Sequence, residues 1–314
     1  MKELRNKNCL ITGAASGIGR CLAIELAKEG MNLLISDIDT QNLEKVKEEI
    51  EAIGAKVHSK KCDVSNLGDI QSLANEFYQK LGDVDLLINN AGTAGGGSIN
   101  DIELDEWRKV LEVNLWSVIY AIKVFLPKML ERGSGHFVNT GSAAGIIGLP
   151  FHPHYVASKF AVSGLTEALY SELYDSGINF SVICPTRVRT NIDRTSPMTI
   201  NPRFLTETDS SEIEKKLKIF REKFSVEFFK KGIDPDIAAK RYIKGIKKNK
   251  LYIFDKKILN IALFIKGISL QRGWRRILQR QSKEDFSAIE TSLVESGLST
   301  KEYLEKIFGK RVTK

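Results

Sequence analysis

Short apolar runs alternate along residues 1–255 with longer segments in which apolar positions recur every three or four residues. Such runs predict buried β-strands, and the recurring positions predict helices with an apolar face. The predicted strands are residues 8–11, 33–37, 56–62, 84–89, 136–140, 178–184 and 250–254. Strands that alternate with helices over one connected stretch predict an α/β fold with a doubly wound, mostly parallel, seven-stranded sheet.

The remaining residues, 256–314, form a predicted helical extension of basic character. Positions 240–283 contain fourteen Lys or Arg residues and one acid, Asp255, and the chain of 314 residues has a net charge of +8. A basic helix that carries a tryptophan, here Trp274, can lie on an anionic membrane surface. The alternative is a helix whose apolar face packs on the domain while its basic face stays in water. No nucleic-acid partner is predicted, because no recognition motif accompanies the charge.

Cysteine usage and the absence of a signal segment predict a cytoplasmic location. The four cysteines are widely spaced and form no Cys-x-x-Cys pair, which predicts reduced core residues. No apolar signal segment precedes the first strand, and the longest apolar run, residues 258–270, is too short to span a bilayer, which takes ~20 residues. Peripheral membrane contact through the extension is kept as an alternative. His152 and His154 lack the further ligands that a metal site needs, so no metal is predicted.

A glycine-rich turn, Thr12 to Gly19, joins the first predicted strand to the helix that follows. Glycines let the main chain approach a pyrophosphate closely, and the N-terminus of a helix offers free N–H donors. The turn therefore predicts a dinucleotide-binding site, and the alternative is a tight turn without a ligand. The candidate contacts are Gly13, Ser16, Gly17, Ile18 and Gly19.

Asp37 stands at the C-terminal end of the second predicted strand, near the position from which a carboxylate accepts hydrogen bonds from the adenosine ribose. A carboxylate there repels the 2′-phosphate of NADP, and no Arg or Lys stands beside Asp37 in the sequence. The sequence therefore predicts NAD in preference to NADP. The alternative is that Asp37 caps the helix predicted over residues 42–53.

Other polar or small residues follow the ends of later strands. The carboxyl ends of parallel strands meet at one edge of the sheet, where ligands bind, so these residues are expected to lie together. Asn114 differs, because it lies inside a predicted helix, residues 107–128, where a buried amide must be hydrogen-bonded. The candidates that follow strands are Asp63, Val64, Asn90, Ala91, Gly92 and Ser142.

Tyr155 and Lys159 are spaced four residues apart, which on a helix places both side chains on one face. A nearby ammonium favours the phenolate and lowers the pKa of a tyrosine, so the pair can exchange a proton with an alcohol. The alternative is an ordinary helix with an exposed tyrosine and lysine. The presence of Ser142, Asn114 and the glycine turn favours the acid/base interpretation.

These motifs, in this order, resemble the core subfamily of the short-chain dehydrogenases/reductases. The match runs from Lys7 to about Phe254 and includes the glycine turn, the segment from Asn89 to Gly92, the Tyr-xxx-Lys pair and the segment from Pro185 to Thr190. The resemblance implies a Rossmann-type subunit that interconverts a small-molecule alcohol and a ketone. It also implies a homodimer or homotetramer, with helices around residues 107–128 and 156–174 between subunits.

The resemblance implies a role for each matching residue. Tyr155 would be the general acid/base and Ser142 would polarise the substrate oxygen. Lys159 would hold the nicotinamide ribose and lower the pKa of Tyr155, and Asn114 would position a water in the proton relay. Further implied cofactor contacts are Asp63, Val64, Pro185, Val188 and Thr190. The family usually has glycine after the proline at position 185, where this chain has Thr186.

Residues 191–232 fall where the family covers its substrate. An apolar helical stripe in this segment predicts either a lid that lines a lipophilic pocket or a helix packed on the core or on a partner subunit. The stripe consists of Ile213, Leu217, Phe220, Phe224 and Phe228.

The leading hypothesis is an NAD-preferring oxidoreductase that acts on a secondary alcohol or ketone of lipid-, retinoid- or steroid-like character. One alternative is an NADPH-dependent 3-ketoacyl-thioester reductase, against which Asp37 counts. The other is a non-catalytic dinucleotide-binding or membrane-surface scaffold, against which the complete set of Asn114, Ser142, Tyr155 and Lys159 counts.

Overall fold

The computed structural model describes residues 2–190, 192, 199, 210–229, 232–256, 259, 261, 284 and 287–308. Seven strands form one sheet in the order β3-β2-β1-β4-β5-β6-β7, and every neighbouring pair is parallel. The strands are β1 (Asn8–Thr12), β2 (Asn32–Asp37), β3 (Val57–Lys61), β4 (Leu86–Asn89), β5 (Gly135–Thr140), β6 (Ile178–Cys184) and β7 (Tyr252–Phe254). The predicted doubly wound sheet is confirmed.

Helices connect the strands and cover both faces of the sheet. They are α1 (Gly17–Lys28), α2 (Thr40–Glu51), α3 (Leu67–Leu81), α4 (Leu104–Leu111), α5 (Ser117–Arg132), α6 (Pro153–Glu172), α7 (Ser210–Phe229), α8 (Pro235–Ile246) and α9 (Lys301–Phe308). A π-helical turn, Glu112–Trp116, joins α4 to α5, and a 3₁₀ turn, Ala143–Gly145, follows β5. Residues 287–295 are also helical.

The apolar runs of the strands are buried on both faces of the sheet, as expected for parallel strands covered by helices. In β2, Leu33 and Ile35 belong to the hydrophobic cluster under α1, α2 and α8. Leu34, which points the opposite way because side chains alternate along a strand, belongs to the cluster under α3, α5 and α6. This alternation explains why the runs are continuously apolar.

Among the described residues, the continuous helix Leu104–Arg132 is long and apolar enough to cross a membrane, by length and composition only. In the structure its Val118, Ala121 and Phe125 are buried in the cluster on the α3 side of the sheet. Its opposite side is apolar as well, since Ile119 and Leu126 line a groove against α6. The helix is therefore a core helix of this fold with a second apolar side.

The described part of the α7 stripe packs against the C-terminal segment. Phe220 is fully buried and forms a separate small hydrophobic cluster with Leu293, Leu298 and Leu304. Lys223 Nζ also donates a hydrogen bond of 2.8 Å to the carbonyl of Glu295. These contacts favour the packing interpretation of the stripe over the lid, and a role in covering substrate stays a prediction.

Several sequence predictions fall on residues that the structure does not describe. These are the side chains of Phe224 and Phe228, most of residues 191–209, and the basic stretch 262–283 with Trp274. The predicted membrane contact of the extension therefore lies outside the described residues.

Replacement of Phe220 by alanine is expected to detach the C-terminal segment from α7. The substitution removes a fully buried ring, a change that costs roughly 3–5 kcal/mol in protein cores. Amide hydrogen exchange across residues 287–308 should become faster while the sheet strands keep their protection. Ile219→Ala is the control, because Ile219 is 43% exposed on the same helix. Equal protection of residues 287–308 in the two variants would contradict the packing.

Candidate active site

The carboxyl ends of β1 and β4 are neighbours whose following helices lie on opposite faces of the sheet, so a crevice opens between them. Asn90 Nδ2 donates to the carbonyls of Thr12 and Gly13, at 3.1 and 3.0 Å. Thr12 Oγ1 in turn accepts from the main-chain N–H groups of Asn90 and Ala91, at 3.1 and 3.2 Å. These bonds hold the glycine turn beside the loop that begins at Asn90.

The glycine turn is packed so closely that side chains are excluded from it. A Cβ on Gly19 would lie 2.1 Å from the carbonyl oxygen of Gly13, and Gly13 itself has a φ of +67°. The Ser16 side chain makes no capping hydrogen bond, and the first turn of α1 has no acidic residue. The N-terminus of α1 therefore keeps donors for an anion, and the turn fits the pyrophosphate of a dinucleotide. Ile18 packs its side chain against the core.

Asp37, at the end of β2, faces the glycine turn. Its carboxylate accepts from the main-chain N–H groups of Ala15 and Asp39, at 2.9 and 3.0 Å. Asp39, not Asp37, caps α2, because its side chain accepts from the N–H of Asn42. The alternative assignment of Asp37 as the helix cap is therefore wrong, and the carboxylate lies beside the turn, where a ribose acceptor is expected.

The remaining predicted cofactor contacts lie along the same edge of the sheet. Asp63 Oδ1 accepts from the N–H and the hydroxyl of Ser65, at 3.0 and 2.7 Å. The side chains of Val64 and Val188 are buried in the two core clusters, so a ligand would meet their main chain. Thr190 lies against the first residue of α1, because its Cγ2 would lie 3.1 Å from a Cβ on Gly17. These contacts stay predictions.

Asn114 lies in the π-helical turn between α4 and α5, a kind of turn that is frequent at functional sites. Its Oδ1 accepts from the N–H of Thr93 at 2.8 Å, and its Nδ2 donates to the carbonyl of Thr93 and to Ser158 Oγ, at 2.9 and 3.0 Å. The buried amide is therefore fixed by the loop after β4 and by α6. Ser158 and Thr93 were not identified from the sequence, although Ser158 lies inside the Tyr-xxx-Lys motif.

Tyr155 and Lys159 share one side of α6, as their spacing predicts. Lys159 is 3% exposed, and its Nζ donates to the carbonyl of Thr140 at 2.9 Å and lies 5.7 Å from the centre of the Tyr155 ring. A Cβ on Gly92 would lie 3.2 Å from Asn114 Oδ1 and 3.5 Å from Lys159 Nζ. The absence of a side chain at Gly92 thus leaves room where the amide and the amine converge.

Burial controls the ionisation of this pair. It lowers the pKa of Lys159 to about 8, because the ammonium is removed from water. It also raises the pKa of Tyr155, an effect that a hydrogen bond with Ser142 partly offsets. The sequence predicted that Lys159 would lower the pKa of Tyr155, and the net direction in the structure is the opposite because desolvation of the phenolate is larger.

Ser142 begins the 3₁₀ turn after β5, where its Oγ accepts from the N–H of Ala144 at 3.1 Å. This places Ser142 between the end of β5 and α6, close enough to Tyr155 to influence the pKa of its phenol. The structure therefore brings together the four residues that the sequence predicts to be catalytic.

The histidines near Tyr155 have local partners. The ring of His154 packs against Trp107, with 5.7 Å between ring centres, and burial lowers its pKa to about 4. His152 Nδ1 lies 2.9 Å from the carbonyl of Pro150. In the part of the chain that the structure describes, no group of three or more His, Cys, Asp or Glu residues could hold a metal ion.

Replacement of Lys159 by methionine should change how stability depends on pH. Between about pH 8 and 10.5 the unfolded lysine binds a proton that the folded one has lost, so the wild-type free energy of unfolding rises with pH across that window relative to the variant. Urea unfolding at pH 7 and pH 9.5 measures this difference. Lys244→Met, at an exposed lysine of α8, is the control. A Lys159→Met variant with the wild-type pH dependence would contradict burial of a titrating amine.

Comparison with known proteins shows to which family the chain belongs. A sequence model of the family described as short chain dehydrogenase matches residues 7–200. Cyclohexanol dehydrogenase of Acinetobacter sp. is 37% identical over 60% of this chain and 75% of its own length. The 17-beta-hydroxysteroid dehydrogenase 13 of Rattus norvegicus is 30% identical over 92% of this chain and 87% of its own length.

Solved structures agree with these relatives. The crystal structure of a short chain dehydrogenase/reductase from Burkholderia phymatum in complex with NAD superposes with a TM-score of 0.72 at 31% identity, and the match covers 85% of this chain and 95% of that one. The family match and the fold thus lead to the same conclusion: the chain belongs to the short-chain dehydrogenase/reductase family of oxidoreductases.

Proposed function

We propose that this protein catalyses the NAD-dependent interconversion of a secondary alcohol and a ketone on a lipophilic substrate. The observation that carries the proposal is the convergence of Ser142, Tyr155, Lys159 and Asn114 at the carboxyl edge of the sheet, beside the glycine turn. A structural set of residues would not need a buried lysine next to a half-buried tyrosine, since the ammonium loses its hydration there.

The chain's own residues manage the proton and the orientation of the substrate. A bound nicotinamide cofactor supplies the hydride donor or acceptor. Tyr155 donates its phenol proton to the carbonyl oxygen during reduction. During oxidation it first releases that proton through Lys159 to water and then accepts the proton of the alcohol. Ser142 hydrogen-bonds the same oxygen, Lys159 relays the proton between Tyr155 and water, and Asn114 positions that water. Proton handling of this kind contributes roughly 10² to 10⁴ in rate.

The preference for NAD rests on Asp37. Its carboxylate lies beside the glycine turn, and the residues that follow it are Ile38 and Asp39, so a 2′-phosphate would meet negative charge. The related structure from Burkholderia phymatum contains NAD, which supports the same choice.

A lipophilic substrate is supported by aromatic residues at the start of α6 and in the loop before it. Trp107 packs on His154, the residue before Tyr155. Phe151 has a φ of +61°, and its carbonyl accepts from the N–H of Gly97 at 2.7 Å. A bulky residue with positive φ is held by its surroundings, which indicates a functional constraint at this loop. The names of the relatives, a cyclohexanol and a hydroxysteroid dehydrogenase, agree with a hydrophobic alcohol.

The cofactor assignment predicts that NADH binds more tightly than NADPH and that Asp37→Ala removes the difference. Loss of the carboxylate removes ribose hydrogen bonds worth roughly 1.5–3 kcal/mol and the repulsion of the 2′-phosphate. Fluorescence titration with each dinucleotide measures both effects. Tyr155→Phe is the matched control: it should bind NADH as the wild type does, yet lose at least about 10² in alcohol oxidation. Tighter binding of NADPH by the wild type would move the ketoacyl-thioester reductase to first place, and binding of neither would favour the scaffold.

We further propose that the subunits pair through the side of α5 and α6 that faces away from the sheet. A groove on this side is lined by apolar side chains and one lysine: Ile119, Ile122, Lys123, Leu126, Pro127, Leu130, Leu165 and Leu169. An apolar groove formed by two long neighbouring helices is a typical surface for association. The family resemblance places its subunit contact on the same helices.

A Leu130→Lys substitution is expected to weaken this association, because a lysine would be desolvated in the contact. Leu130 is 39% exposed in the subunit, so the fold should survive the change. Sedimentation velocity should show a shift toward monomer. Ile237→Lys, at a residue of α8 that is 48% exposed, is the control and should leave the oligomer intact. A wild-type protein that sediments as a monomer would refute the proposal.

A further inference from the structure

A buried carboxylate stands behind the loop that follows β6. The main-chain N–H and the hydroxyl of Thr186 both donate to Asp255 Oδ2, at 3.0 and 2.8 Å. Asp255 directly follows β7 and is 2% exposed. A carboxylate loses much of its hydration on burial, and hydrogen bonds to an ionised group are among the stronger ones in proteins. Thr186 therefore does much to compensate the burial of this charge.

The other groups around Asp255 do not replace Thr186. Asp255 Oδ1 is buried and makes no hydrogen bond within the described part of the chain, and the buried hydroxyl of Tyr242 is likewise without a hydrogen bond that meets normal geometry. Burial raises the pKa of Tyr242, and the charge of Asp255 adds to that rise. Arg241 donates to the main-chain carbonyl of Asp255 and so anchors the backbone of this residue.

The loop held by Thr186 connects both sides of the crevice. Next to Thr186, the carbonyl of Pro185 accepts from the N–H of Ala143 at 2.8 Å, and Ala143 follows Ser142. Four residues further on, Thr190 lies against Gly17 in the phosphate-binding turn. A displacement of Thr186 would therefore also displace the contacts of this loop with the residue after Ser142 and with the glycine turn.

We propose that Asp255 is a positioning residue, which fixes the loop from Pro185 to Thr190 through Thr186 and thereby shapes the nicotinamide end of the crevice. The proposal rests on the dinucleotide-binding function proposed above. Thr186 stands where the family usually has glycine, and its hydroxyl supplies the second of the two donors to the carboxylate. The threonine that stands in place of the usual glycine thus adds a hydroxyl donor to the buried carboxylate of Asp255.

The test uses Asp255→Asn and Thr186→Val in the full-length protein, with two readouts. Hydrogen exchange at the amide of Thr186 reports the anchor directly and needs no cofactor. It should be about tenfold faster in Asp255→Asn, since a charge-assisted bond becomes a neutral one, and faster in Thr186→Val as well. The Kd for NADH, from fluorescence titration, should rise about threefold to tenfold in both variants.

Tyr242→Phe is the matched control, because it alters the same buried cluster from α8 without touching the bonds to Thr186. If the substitutions only loosened the buried cluster around Asp255, all three variants would have a lower urea midpoint and faster exchange throughout the sheet. Positioning predicts that exchange accelerates at residues 186–190 in the first two variants, while Tyr242→Phe keeps wild-type exchange there and the wild-type Kd.

The outcomes separate this inference from the proposed function. Unchanged exchange at the Thr186 amide in Asp255→Asn overturns the anchor, and the safer Thr186→Val decides the question if Asp255→Asn does not fold. Faster exchange with an unchanged Kd for NADH overturns the positioning role. If the wild type binds neither NADH nor NADPH, the proposed function fails, while exchange at Thr186 still decides whether the anchor exists.

Discussion

The hydrogen bonds that join Asn90 to the end of β1 extend the contact between the two halves of the sheet beyond the ladder that pairs β1 with β4. Because the Asn90 amide reaches the carbonyls of Thr12 and Gly13, the loop after β4 lies against the glycine turn. That proximity leaves no volume for a side chain at Gly13 or Gly19. The same bonds occupy the inner side of the turn, so the donors at the N-terminus of α1 remain for an anion. The glycine positions and the phosphate-binding surface therefore both depend on this contact.

Polar groups are buried at this edge at a cost that a purely structural core would avoid. Three hydrogen bonds satisfy both ends of the Asn114 amide and so offset the loss of hydration on burial. The lost hydration of Lys159 is less well compensated. Its amine donates to one carbonyl in the described structure, and burial lowers its pKa to about 8. A destabilised ammonium next to a half-buried phenol is typical of catalytic sites, where the pKa values of proton donor and acceptor must be close to each other. The stability given up here is compensated by the two apolar clusters on the faces of the sheet.

The sequence predicts the sheet well because both faces of each strand are covered, so the strands appear as continuous apolar runs with polar residues at their ends. It also predicts which side chains of α6 share a face, since helical spacing settles that locally. It offered Asp37 and not Asp39 as the alternative cap of α2, because both are acids just before the helix and the difference depends on the contact of Asp37 with Ala15 across the turn. The predicted direction of the pKa shift of Tyr155 was wrong for a related reason. Spacing along a helix shows a neighbouring charge, whereas desolvation depends on the whole fold.

The contact between Thr186 and Asp255 could not be predicted because it joins distant parts of the sequence. Thr186 and Asp255 are 69 residues apart in the sequence, and each is unremarkable by itself, one in a loop and the other after a short edge strand. Once β7 pairs with β6, Cys184 and Phe254 become partners, and the residues that follow both strands meet at the same edge. A glycine at position 186 would still donate its N–H but not a hydroxyl, and a buried carboxylate that loses a donor is strongly penalised. Thr186 and Asp255 therefore depend on each other, and their hydrogen bonds hold the loop beside the crevice in place.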